Sequence, residues 1–162
     1  KIYSLGVLQH TPYVKKAVKS LSLKLKSGGL FCIDFYEKSF KSMLLPKYWL
    51  RPFTKKIKKE KILAILQKRI DMLLITSKYL KKIPFIGNLL ARLVPVADYS
   101  DILPLSKTQI REWAILDTFD WLTPTYDNPQ TRKSIYDWLK EFDFQKIEVL
   151  KESHIVGRGI KK

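Results

Sequence analysis

Residues 9–11 of the sequence, Gln-His-Thr, end a short apolar run, and Pro12 follows at once. An imidazole is well matched to proton transfer near neutral pH, because the ordinary pKa of histidine is about 6.5. His10 is therefore a candidate general base for an acceptor that must lose a proton, a hydroxyl or an acidic carbon. The same side chain can instead supply a hydrogen bond that shapes a strand-to-helix turn. Polar and aromatic groups gather again at Asp120, Trp121, Tyr126 and Asp127, around the proline-rich stretch 123–130, TPTYDNPQ. Such a mixture in one loop suits a lid that closes on a substrate and excludes water, or plain packing over a core edge. Tyr36 ends a second apolar run and reads either as a substrate contact or as a buried rim tyrosine. His154 lies near the start of the last apolar run, away from the other two, and reads as structural. No group of His, Cys and Asp in the sequence has metal-ligand spacing, and no GxSxG nucleophile setting occurs. The one Gly-rich stretch, Gly157-Arg158-Gly159, comes late and precedes no helix, which is the wrong context for a nucleotide-binding loop.

The elements that must position these residues follow from hydrophobic periodicity. Residues 2–8 are apolar and β-prone and predict a buried strand. Thr11 is placed to cap a helix, with Pro12 at its first position and Val14, Ala17, Val18, Leu21 and Leu25 along one face. Ser27-Gly28-Gly29 closes that helix, and residues 30–36 predict a second buried strand. Strand, helix and strand in this span form a βαβ unit with the two strands parallel. Ligands of open α/β sheets bind at the carboxyl ends of the strands, which brings residues 4–10 and 34–36 to one rim. Residues 38–105 differ: Ile62, Leu66, Ile70 and Leu73 keep helical spacing in a basic background, punctuated by Pro84, Pro95 and Pro104. This span predicts several helices inserted outside the sheet. Residues 105–122 predict a further helix, with Ser106 as cap and Ile110, Trp113, Ala114 and Asp117 on one face. Thr131 caps another, whose apolar face is Ile135, Trp138, Leu139 and Phe142. Residues 144–150 and 154–160 predict two strands close enough to form an antiparallel hairpin.

A chain of 162 residues with 46% hydrophobic content can bury one real core, so a single domain is expected. Cys32 is the only cysteine, which excludes an internal disulfide and fits a reducing compartment. The longest apolar candidate, residues 83–96, contains Asn88 and Arg92 and falls short of the roughly 18 residues of a membrane-spanning helix. With no signal-peptide pattern either, a cytoplasmic protein is the expectation. Charge is the outlier: 31 Lys and Arg stand against 15 Asp and Glu, a net of +16. Residues 38–92 carry 15 of those cations and only two acids, Glu60 and Asp71, a balance of +13. A surface of that kind attracts phosphate on nucleic acid or on anionic lipid through charge alone. The other source of such a bias is a lysine-rich composition with no partner at all.

The order of these elements resembles the later half of a class I S-adenosylmethionine-dependent methyltransferase. In that family the fourth strand ends in a motif similar to SLGVLHHTPD, and residues 4–12 here read SLGVLQHTP. A helix ending LKPGG follows in the family, matched by Leu25-Lys26-Ser27-Gly28-Gly29, then a fifth strand matched by LFCIDFY. The stretch ILDTFDWLTPTYDNPQT, residues 115–131, is similar to a segment of one bacterial, type-11-like subgroup, as is the closing HIVGRGIKK. Gln9 stands where that subgroup often has a second histidine. The resemblance implies an α/β fold: the carboxyl-side half of a Rossmann-like sheet, strands four to seven, with the last strand antiparallel between five and six. The basic helical insertion, 38–105, would lie within a single partial domain, 1–162. It further implies that Ser4, Leu5, Gly6 and Val7 line S-adenosylmethionine, largely through backbone. His10 would then be the catalytic base toward a small-molecule acceptor, lipid-, quinone- or sugar-related in class, contacted by Tyr36, Asp120, Trp121 and Tyr126. The family's Gly-rich loop after strand one and the ribose-binding acid after strand two are absent from this sequence. The chain, opening on Lys1 rather than Met, is accordingly expected to be a fragment that neither binds the cofactor tightly nor turns over alone. The rival expectation is a non-catalytic basic module that binds nucleic acid or an anionic membrane through residues 38–92. An RNA methyltransferase is disfavoured, because no RNA-binding module is recognisable.

Overall fold

Two kinds of sequence pattern, alternation near both ends and helical spacing in the middle, become two compact units. A computed structural model describes residues 1–162, the side chain of Lys41 excepted. In chain order the elements are β1 (Ile2–Ser4), a 3₁₀ turn (Leu8–His10), α1 (Val14–Ser22), β2 (Leu30–Phe35), α2 (Phe40–Met43) and α3 (Pro46–Thr54). They continue with α4 (Lys59–Lys81), α5 (Gly87–Ala91), α6 (Lys107–Leu122), α7 (Arg132–Glu141), β3 (Phe144–Lys151) and β4 (Ile155–Lys161). One unit combines Lys1–Ser42 with Thr125–Lys162, and the other is Met43–Pro124.

The first unit is mixed α/β, built on an open four-stranded sheet in the order β1-β2-β4-β3. β1 and β2 are parallel, joined through α1, as the βαβ reading requires, and β4 runs antiparallel to both β2 and β3. β2 is the central apolar strand: Phe31, Ile33 and Phe35 alternate onto one face and are fully buried. They pack with Val14 and Val18 of α1 and Ile135 and Leu139 of α7, and Phe31 stacks on Phe144 at 5.1 Å. Thr131 caps α7 as expected, in a reciprocal capping box with Ser134.

Gly157 of β4 is where helix and sheet come closest. A Cβ there would collide with Ile135 Cγ2, with Leu139 Cδ1 and Ile33 Cγ1 next nearest. The late Gly-rich stretch thus serves packing. Gly157→Ala is expected to destabilise this unit by about 1–3 kcal/mol through overpacking, read from urea midpoints by circular dichroism.

Three expectations fail locally at the start of the chain. The strand predicted over 2–8 stops at Ser4, because Gly6 turns the backbone at φ +70°. Leu5 and Val7 are then exposed, and only Leu8 and Gln9 return to the interior in the 3₁₀ turn. Thr11 does not cap α1: Tyr13 holds the cap position with no side-chain bond, while the Thr11 hydroxyl donates to Leu8 O at 2.7 Å. The third is the end of α1, which stops at Ser22, with Leu25 reaching the core from the turn that follows.

The second unit is helical throughout. Ile62, Leu66 and Ile70 of α4 pack on Ala114, Ile115 and Leu122 of α6 and on Val96. Ser106 caps α6, as predicted, and does so in a capping box with Gln109. Its buried face is Ile110, Ala114, Ile115, Thr118 and Leu122, whereas Trp113 of the predicted face is half exposed and edges onto Tyr99. The last carbonyls of α6 are tied to α3: the buried Arg51 donates Nε to Trp121 O, and Thr54 donates its hydroxyl to Leu122 O, both at 2.6 Å. A guanidinium at a helix carboxyl end also complements the helix dipole. Between α4 and the segment before α6, Asp98 accepts Ser77 Oγ at 2.7 Å and Lys81 Nζ at 2.8 Å.

Candidate functional site

The carboxyl ends of β1 and β2 converge with the start of β4. β1 leads into the turn at Gly6, whose N–H donates to Asp34 Oδ1 at 2.5 Å. Asp34 lies on β2 and is itself buried. Its other oxygen lies 3.3 Å from His154 Nδ1. That meeting follows from strand direction: Phe35 of β2 pairs with Ile155 of the antiparallel β4, so the residue before Ile155 comes level with the end of β2. His154 therefore stands at the rim, and its expected purely structural placement away from the strand ends is corrected. The pairing of an antiparallel last strand with β2 is the signal that could have located it.

Tyr36 sits between two imidazoles. Its ring meets His154 edge-on at 5.1 Å and His10 at 6.2 Å. His10 is half-buried in the 3₁₀ turn, and its Nδ1 is 2.9 Å from Tyr126 O. A carbonyl only accepts, so Nδ1 carries the hydrogen. In the neutral ring this leaves the lone pair on Nε2, the arrangement a general base needs.

The loop that supplies this carbonyl is laced to both strand ends. Asn128 N–H donates to Gln9 O, and its side-chain amide donates to Thr11 O, each at 2.9 Å. Gln130 N–H donates to Tyr36 O at 2.9 Å, and Lys38 N–H donates to Gln130 O at 2.8 Å. Gln9 is the anomaly of the rim. It is 1% exposed, yet neither its side-chain nitrogen nor its oxygen has a hydrogen-bond partner among the described residues. A buried amide left unsatisfied costs roughly 1–3 kcal/mol per group.

Of the residues predicted to line a cofactor, Ser4 is half-buried and Leu5, Gly6 and Val7 are exposed. A Cβ added at Gly6 would meet nothing within 4 Å, so the backbone of this turn is open to close approach. Among the described residues, no group of three or more His, Cys, Asp and Glu is arranged to hold a metal ion.

The predicted acceptor contacts do not form one loop. Asp120 and Trp121 belong to the last turn of α6 in the helical unit, whereas Tyr126 belongs to the α/β unit. Regular helix continues two residues beyond Asp120, because Leu122 is still buried against α4, and this separates the motif's two halves. Trp121 lines a cavity of about 460 Å³ in the helical unit, together with Lys47, Arg92, Tyr99 and Ile102. Lys47 lies 5.6 Å from the centre of the Trp121 ring, and Asp120 is exposed. Compared with known proteins, the chain matches no family model, no curated protein sequence and no solved structure.

Proposed function

We propose that the chain is part of a class I methyltransferase that moves a methyl group from S-adenosylmethionine to a small-molecule acceptor. The observation that carries the reading is the strand order β1-β2-β4-β3 with β4 antiparallel in the middle, beneath the SLGVLQHTP motif at the end of β1. The residues present suit the group. An exposed turn with an open glycine offers backbone to it, and the unsatisfied amide of Gln9 sits beside the base candidate. When bound, the sulfonium supplies an electrophilic methyl group for in-line displacement.

The chain's own residues have separate tasks on this reading. Ser4 to Val7 present the backbone of the turn, and Asp34 fixes that turn through the Gly6 N–H. His10, with Nδ1 committed to Tyr126 O, takes a proton at Nε2 from the acceptor. Tyr36 packs against His10 and holds the ring in place. Trp121 and Asp120 of the helical unit are assigned to the acceptor by the motif alone.

The test is a nuclear magnetic resonance titration of this 162-residue chain with S-adenosylmethionine. Backbone contacts from one turn are expected to support only millimolar binding, about −4 kcal/mol. Shifts confined to the amides of residues 4–7 and to Gln9 and His10 are the expected result. No shift at millimolar cofactor, or shifts scattered elsewhere, would overturn the reading. The rival, a basic binding module without catalysis, draws on the charge of residues 38–92 and predicts no such shifts.

A further inference from the structure

We infer that α4 and the turn after it form a docking surface for an anionic lipid bilayer, with Phe85 as its inserting tip. This goes beyond the methyl-transfer reading and does not depend on it. α4 has two apolar sides. One faces the core through Ile62, Leu66 and Ile70, and the other carries Met72, Ile75 and Tyr79, all more than half exposed. Their spacing of three and four residues puts them on one stripe. The chain then turns at Phe85, which is fully exposed and held at φ +64°, followed by exposed Ile86 and Leu89. A bulky residue at positive φ is a backbone outlier, and here it presents an aromatic ring to solvent at the tip of a turn. The opposite side of α5 is occupied: Gly87 and Ala91 are buried.

Charge selects the partner. From residue 61 to residue 97 the only acid is Asp71, and Arg111 neutralises it at 3.1 Å. Lys81 is committed to Asp98 and Asp101. Among the described residues, Lys68, Lys78, Lys82 and Arg92 have no carboxylate within ion-pair distance. Apolar side chains interleaved with uncompensated lysines on one helix face match the boundary between headgroups and acyl chains. Nucleic acid would use the lysines but has no place for Ile86 and Leu89. No helix among the described residues is long and apolar enough to cross a membrane, so the surface lies on the bilayer.

The test is flotation of the full chain with vesicles of phosphatidylcholine alone or mixed with phosphatidylglycerol, across a salt series, with a single-stranded RNA in parallel. The expected result is preference for the phosphatidylglycerol vesicles. Phe85→Ala should weaken binding about tenfold at every salt concentration, because apolar burial is not screened. Lys78→Glu and Lys82→Glu should each weaken it about fivefold or more at low salt, with the effect fading as salt rises. Leu89→Ser serves as a second apolar variant, and circular dichroism checks that each variant stays folded. Failure of the wild type to float would overturn the inference. So would Phe85→Ala and Leu89→Ser floating like wild type, complete loss of binding at moderate salt, or preference for RNA.

Discussion

On the proposed methyl-transfer reading, replacing His10 with alanine is expected to lower turnover by roughly 10²–10⁴-fold, with cofactor affinity nearly unchanged. The expectation rests on the hydrogen bond from His10 Nδ1 to Tyr126 O, which leaves Nε2 as the only basic atom of the neutral ring. A positioned base acts on the chemical step, so the loss should fall on kcat more than on the binding of either substrate. His10→Gln is the informative companion. Its amide can replace the bond to Tyr126 O but cannot take a proton. If His10 only shapes the turn, His10→Gln should restore activity; if it is the base, both variants should be equally impaired. Wild-type turnover in a folded His10→Ala protein would leave the residue with a structural task alone.

The largest effect on stability is expected at Asp98. Its side chain is 6% exposed and accepts Ser77 Oγ, Lys81 Nζ and both the hydroxyl and the N–H of Ser100. Asp98→Ala leaves Ser77 buried without its partner and Lys81 with Asp101 alone, at an expected cost of roughly 2–4 kcal/mol. Burial by itself pushes the Asp98 carboxyl up, but the bonds from Lys81, Ser100 and Ser77 more than offset it and hold it at about 2, below the ordinary 3.8. A carboxyl depressed in the folded state stabilises the fold at pH values above its unfolded pKa. That contribution is lost as the pH falls from about 4 toward about 2. Urea midpoints of the wild type and Asp98→Asn should therefore differ at neutral pH and converge below about pH 2. A gap that persists unchanged into acid would show that the carboxylate's charge is not what stabilises this contact.

Much of the scaffold was legible because its signals are local. Ser106 and Thr131 cap helices whose first turns carry the matching Gln109 and Ser134. The helical spacing of Ile62, Leu66 and Ile70 survives because those residues face a core. The four strands and the place of the last one between β2 and β3 also agree with expectation. What escaped depended on non-local geometry. The apolar run over 2–8 looks continuous in type, but one glycine in a left-handed conformation ends the strand halfway. His154 is remote from His10 in sequence, and only the antiparallel return of β4 sets it beside Tyr36. Trp113 obeyed the helical period and still faces outward, since the buried face of α6 is centred one residue further on, at Ala114 and Ile115. Nothing in the residue type of Gln9 announces that its amide is buried without a partner; that depends on what the 3₁₀ turn and the 128–130 segment enclose.

The split of the α/β unit into two chain segments also sets an order for synthesis on the ribosome. Leu30 of β2 finds its partner at Ile160, 130 residues later, so the sheet's central ladder waits until that whole stretch has been translated. Until then β2, with its row Phe31, Ile33 and Phe35, lacks its antiparallel neighbour β4 and the cover of Ile135 and Leu139 from α7. The helical unit has no such wait, because its packing partners all lie between Met43 and Pro124. At elongation rates of about 5–20 residues per second, the half-built sheet stays open for about 6–26 seconds. An apolar strand exposed for that long is the point in this protein's life at which a holding chaperone has most to bind.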